Sequence, residues 1–539
     1  MAASSVAPTA AASSAPTAAA SARAAILAAQ DERLNWWYRD SCGDVQSPLR
    51  GADFDSAIDD TLCALSGRAS KGFALTSMLL VRNDDSNQLR AALLVDQSDK
   101  HINDASPVNW PARSLAQLQQ LAALQEAIAR GALPPLPPFT ALLSSLDYPL
   151  QRLDSGSWCG LAPLLSNAAV RGVHADLLMP DYSFSPVAYL PNALVPPNAS
   201  VAALPRGWTV ERDSLWRRGA AIPYAKRRRE VFWRGGASSN AARRPLLAAV
   251  VRAAANASAA MRANVRACER GHCEAGEGAA LEQWCDRKLL LVLPGNTFKV
   301  GLKYALLCRS LVVVLGEAAR GAATAAAVDA AAAANRAAGE GKAADESSAP
   351  PPLQPEYEQW WEAGLRDGVH LIRAATPADV PLRETALGER WAAAVGARGA
   401  EYAYAALEPS FVLEYWHALF AGYAALFDGG AGGGSRRDGG AGLRGPPNRH
   451  EQACASGSGR AVARADLRPI PSAAVLAEAV HTREAMEQLY RQFATVLPLR
   501  FAGVRRASDA EHGIAAVRAW LRKGPVGANS SAQEERLGH

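Results

Sequence analysis

Hydrophobic positions along the chain change period several times, and the clearest change lies at its centre. Residues 289–293 and 311–315 are short, continuously apolar, branched-rich runs. Between them stand a Gly-containing turn at Gly295 and about ten residues of helical pattern, the signature of a buried parallel β-α-β unit. Upstream, residues 230–236 predict a strand ending in the glycine turn Gly235-Gly236. Ser238, Ser239 and Asn240 then predict the cap of a helix running through Val251. Residues 368–372 predict another short strand, and Phe411, Tyr415, Leu419 and Tyr423 repeat at helical spacing, predicting a helix that docks on the core. Strands alternating with helices argue for an α/β fold.

In a β-α-β unit the turn after the first strand presents backbone N–H groups and a helix N-terminus to an anionic ligand. The segment therefore predicts either a phosphate site or plain α/β core. Arg234, Arg243 and Arg244 gather at the predicted helix start, where arginine can grip a diphosphate bidentately or pair with surface carboxylates.

Composition narrows the picture. The 539 residues suffice for two or three domains, and 49% hydrophobic with 20% charged is a globular balance. A net charge of +5 gives no case for a nucleic-acid partner, and the dense basic run from Lys226 to Arg229 predicts a solvated strand entry or a local anion contact. No window approaches the roughly 18 uninterrupted apolar residues of a membrane span, so no integral membrane segment is expected. The first thirty residues lack the features of a signal peptide, and the C-terminus Arg536-Leu-Gly-His539 carries no retention tetrapeptide. Eight cysteines in so long a chain do not make a disulfide scaffold; Cys268, Cys273 and Cys285 with His272 can be drawn as a zinc site, but the spacing fits no standard template.

Composition shifts place the boundaries. Residues 1–25 are a low-complexity segment, 26–225 a first block and 226–427 a second, interrupted by an Ala/Gly/Glu-rich insertion at 317–353 expected to be disordered. A Gly-rich linker follows at 428–464, and 465–539 is expected to be helical.

Several short motifs then occur in a telling order: Leu146-Asp147-Tyr148-Pro149; Asp176 to Pro180-Asp181-Tyr182-Ser183-Phe184; Val231 to Arg234-Gly235-Gly236; Arg243 to Pro245-Leu246; Gly295-Asn296-Thr297-Phe298 to Lys303-Tyr304 and Cys308-Arg309-Ser310; and Trp360-Trp361 before Gly368-Val369-His370. Over about residues 130–427 this order resembles the family-90 glycosyltransferases, the group of Rumi-type protein O-glucosyltransferases and CAP10-like fungal capsule proteins. The resemblance implies a GT-B architecture: two Rossmann-like domains facing across a cleft, 26–225 on the acceptor side and 226–427 holding a nucleotide-sugar. It implies an inverting transferase that moves glucose or xylose from a UDP-sugar to a hydroxyl of a protein or glycan, with Asp147 as general base. Read without it, Asp147 is a turn residue ahead of Pro149.

By the same resemblance, Gly236, Arg243, Asn296, Thr297, Phe298, Lys299 and Lys303 are expected around the donor. Pro180, Tyr182, Phe184 and Arg234 are expected to line the cleft, with no metal and no cofactor beyond the donor. Two positions depart from the animal relatives: Gly301 stands where they have arginine, for which Lys299 is a possible substitute, and Gly236 stands where they have serine. The departures keep open a non-catalytic relative that binds carbohydrate or a partner. A dinucleotide oxidoreductase is disfavoured because the Gly-x-Gly-x-x-Gly turn is absent. Family analogy implies the lumen of the endoplasmic reticulum or Golgi, with which sequons at Asn198, Asn256 and Asn529 are compatible.

Overall fold

The computed structural model describes residues 15–39, 49, 53–68, 78–84, 88–95, 109–153, 161–186, 206–236, 240, 242–257, 262–268, 280–295, 297–315, 356–381, 388–427, 467–479, 489 and 492–496. The insertion at 317–353, the linker at 428–464, Asn296, Asn198, Asn529 and the Cys273 and His272 of the zinc reading lie outside them.

Helices α1 (Ala15–Arg39) and α2 (Phe54–Arg68) precede the hairpin of β1 (Met78–Asn83) and β2 (Leu89–Val95). Helix α3 (Asn109–Ala129) leads to β3 (Phe139–Ser144), which pairs antiparallel with β1 and parallel with β4 (Leu164–Ser166), itself beside β5 (Leu177–Leu178). All six residues of β3 are buried, as expected of a strand covered on both faces. Helix α2 packs on it, and α3, whose Leu115, Leu118, Leu121 and Ala122 recur every three or four residues and face inward, packs beside β2.

After α4 (Trp208–Ala221) a second sheet begins. It contains β6 (Arg228–Gly236), β7 (Arg262–Cys268), β8 (Arg287–Val292), β9 (Leu311–Leu315) and β10 (Ile372–Ala374), all parallel, in the order β10-β9-β8-β6-β7. Helices α5 (Arg243–Ala257), α6 (Leu281–Trp284) and α7 (Leu302–Leu307) fall between its strands. From β6 the chain steps out to β7 and returns on the other side at β8. The order therefore reverses between β6 and β8, and ligands of open parallel sheets bind outside the carboxyl ends of strands at such a point.

Helices α8 (Glu389–Ala406) and α9 (Pro409–Ala425) carry the chain back. The aromatic run of α9 is buried, but against the first sheet. The Phe420 ring lies 4.5 Å from that of Phe139, and the Tyr415 hydroxyl donates to the Leu178 carbonyl at 2.9 Å. Beyond the linker, β11 (Arg468–Pro469), α10 (Ala473–Ala479) and β12 (Ala494–Val496) add to the same side, both strands pairing with β2. An aromatic column of Phe184, Trp208, Trp360 and Tyr415 continues the core from one sheet to the other.

Several expectations are corrected here. Helix α1 starts at Ala15, inside the segment set aside as low complexity, because Ala22, Ile26, Leu34 and Trp37 give it a face to bury. The 465–539 segment contributes strands as well as helix, since the edge of β2 offers unpaired backbone. Gly368 to His370 form a turn, with Gly368 at φ +72°, and the strand begins only at Ile372. Within the basic run, Arg227 is buried and donates to the carbonyls of Gly219 (2.7 Å) and Cys308 (2.5 Å) and to Ser310 Oγ (2.7 Å), so it clamps the fold, while Arg228 and Arg229 are exposed. Cys285 is bonded to Cys308 and is no zinc ligand.

Candidate active site

The first wall of the site grows from the carboxyl end of β3. The 146–151 loop is fastened by Asp176, whose carboxylate accepts the N–H groups of Leu150 (3.0 Å) and Gln151 (2.8 Å) and the hydroxyl of Ser166 (2.6 Å). Burial pushes the Asp176 carboxyl up to about 6 despite those donors. Asn167 holds the same loop through the Leu146 carbonyl at 3.1 Å. The loop presents Asp147, whose Oδ1 accepts from Arg113 Nη1 at 2.6 Å. Oδ2 takes no hydrogen bond from the described residues. The Arg113 guanidinium in turn lies 4.4 Å over the ring of Tyr182. With side chains only 17% and 12% exposed, Asp147 and Arg113 form a sheltered pair rather than a surface one.

The second wall is the carboxyl end of β6 and β8. Arg243 opens α5, donating from Nε to the Pro294 carbonyl at 2.7 Å and from Nη1 to the Gly236 carbonyl at 2.6 Å. It has no carboxylate partner among the described residues, and burial pushes it down to about 10, still a cation at neutral pH. Arg234 donates to the Trp233 carbonyl and to Asn264, with its guanidinium 4.4 Å over Phe232. Asn240 fixes the neighbouring turn by accepting from the Ala242 N–H and donating to the Gly295 carbonyl. A Cβ at Gly295 would sit 2.3 Å from the Phe298 carbonyl oxygen, so only glycine fits that turn.

The loop after β8 joins the walls: Thr297 Oγ1 donates to the Asp147 carbonyl at 2.5 Å, and Phe298 meets Tyr182 edge-on. Between the walls lies a cavity of about 400 Å³, within the usual range for small-molecule sites. It sits where the strand order of the second sheet reverses, bounded by Trp233, Arg234 and Gly235 from β6, by Leu291 and Val292 from β8, and by Leu293 just beyond it.

Of the residues singled out from sequence, Asp147, Tyr182, Arg234, Arg243, Thr297, Phe298 and Lys299 line this cavity together. Gly236 stands behind it, its carbonyl holding Arg243. Pro180 and Phe184 are buried and do not line it. Lys303 does not line it either. Its ammonium is buried 3.5 Å over Phe184, with Trp208 at 4.8 Å and Tyr304 at 5.2 Å, and donates to Ser183 Oγ. Burial lowers it to about 8, and the aromatic faces replace lost hydration. Lys299 lines the cavity, with its ammonium buried 3.8 Å from the equally buried Glu362. Arg113 and Trp284 line the cavity but belong to none of the motifs. The sequence reading holds no hint of the first, which α3 carries to the site.

Residues 123–318 match the family model of glycosyl transferase family 90. The family 90 match takes in Asp147, Tyr182, Arg234, Arg243 and the 297–301 loop, and leaves Arg113 outside. It supports a transferase with a glycosyl donor and an acceptor. No curated protein matches the chain.

Proposed function

We propose that the cavity is the donor site of an inverting glycosyltransferase that moves a sugar, glucose or xylose, from a UDP-sugar to a hydroxyl of a protein or glycan. The observation that carries this is the pairing of a half-buried arginine cation lacking any described carboxylate partner, Arg243, with a carboxylate, Asp147, around one cavity. The acceptor oxygen attacks the anomeric carbon as the bond to the diphosphate breaks, and Asp147 takes the hydroxyl proton, a role worth about 10²–10⁴-fold in rate. Charge builds on the leaving diphosphate. Arg243, Arg234 and the N-terminal end of α5 are preorganised to receive it. The carboxyl ends of β6 and β8 and the loop that follows β3 border the cavity, which supports a GT-B arrangement with the acceptor on the Asp147 side. The Cys285–Cys308 disulfide and the exposed Asn256 support a lumenal compartment, where disulfides persist.

A second reading, a binding module without catalysis, draws on the Arg113–Asp147 ion pair, which in that case is purely structural. Hydrolysis of UDP-glucose, UDP-xylose and UDP-galactose by the full chain, beside Asp147→Asn, separates the two. Slow turnover of one donor that vanishes in the variant supports the enzyme. Donor binding with no turnover in either protein supports the module.

A further inference from the structure

Four aromatic side chains border the cavity, and three have their faces occupied. Tyr182 carries the Arg113 guanidinium at 4.4 Å. Trp233 lies under Arg243 at 5.8 Å and folds back over Gly235, where a Cβ would come 2.9 Å from its Cζ2. Phe298 is buried edge-on to Tyr182. Trp284 differs. It ends α6, and the next residue, Cys285, is bonded to Cys308 beyond α7, so the backbone beneath the indole is pinned. Phe232 packs on it at 6.1 Å, tilted by 59°.

Gly301 also lines the cavity, and a Cβ there would lie 3.8 Å from Trp284 Cη2 and 3.9 Å from Cζ3. Any longer side chain at 301 would run against the six-membered ring. Glycine leaves that ring without a side chain from 301 against it. The indole N–H is buried with no acceptor among the described residues, where buried donors are normally satisfied.

We propose that Trp284 is the platform on which the donor's nucleobase stacks, in a slot kept open by Gly301. The inference rests on the nucleotide-site reading and adds to it the subsite that separates a nucleotide from a bare diphosphate. A flat heterocycle suits the ring because its π-face and polar edge meet an indole face and an N–H donor together.

The test is calorimetric titration of UDP and of inorganic pyrophosphate into wild type, Trp284→Ala, Trp284→Phe and Gly301→Leu. Trp284→Ala should weaken UDP by about 5- to 150-fold, the range for losing one base–aromatic stack, and leave pyrophosphate unchanged. Trp284→Phe should keep most of the UDP affinity, which guards against a folding defect, and Gly301→Leu should weaken UDP alone. Wild-type UDP affinity in Trp284→Ala overturns the platform while leaving the nucleotide site standing, and so does an equal loss of both ligands in Trp284→Ala and Trp284→Phe. Failure of wild type to bind either ligand overturns the site itself, and the platform with it.

Discussion

The two walls of the cavity handle charge in opposite ways. On the first, the carboxylate of Asp147 is matched at 2.6 Å by Arg113, and Asp176 beneath it is held by three donors. On the second, Arg243 is half-buried and donates to two carbonyls, with no described carboxylate to balance it. A wall whose charges are internally paired is fixed in position and adds little field of its own. A wall with an unbalanced, partly buried cation has already met part of the cost of desolvation, and an arriving anion recovers it. Under the proposed function, that difference fits chemistry on the first wall and binding on the second. Lys299 sharpens the point: it borders the cavity on the second side, yet its charge is spent on Glu362.

The comparison can be broken at each wall. The largest effect is expected from Asp147→Asn, which should lower kcat by about 10²–10⁴-fold, measured by steady-state kinetics, while UDP affinity stays near wild type. A parallel loss of UDP affinity would place Asp147 in binding instead. Glu362→Gln removes one half of a buried ion pair and should cost about 3–5 kcal/mol of stability, read from denaturant unfolding, with donor affinity preserved in the folded fraction. Arg113→Ala should reduce kcat by up to about 10²-fold by loosening Asp147, with little change in UDP affinity. A change in affinity alone would move Arg113 to the binding wall.

The smallest effect lies away from both walls. Burial, with Arg366 and Arg398 nearby, holds His370 down at about 4 against an ordinary 6.5. The native state then binds fewer protons than the unfolded chain between those values. The stability this contributes is full above about pH 6.5 and is lost as pH falls through 4. His370→Asn should flatten the melting temperature over that window and leave catalysis at neutral pH unchanged.

The second wall was largely legible in the sequence because its signals are local. Apolar runs, a glycine turn and an arginine at a helix start lie within a few residues of one another. The first wall was legible only through family resemblance, since an Asp before Tyr-Pro reads as a turn, and its partner Arg113 arrives from a helix a strand away. Lys299 and Lys303 look alike in sequence. What distinguishes them from each other is what packs on them, Glu362 for one and three aromatic rings for the other, and no local pattern encodes that. The aromatic run of α9 predicted docking correctly but not its target, because periodicity gives a helix its face and says nothing of which sheet receives it.

The division of labour between the walls is tested most directly by titrating UDP into wild type, Arg243→Ala and Asp147→Asn under identical conditions. The account predicts that Arg243→Ala weakens UDP by about 10²-fold, the scale of a lost charge-assisted bidentate contact, while Asp147→Asn binds as wild type does. Equal affinity in all three proteins would contradict it.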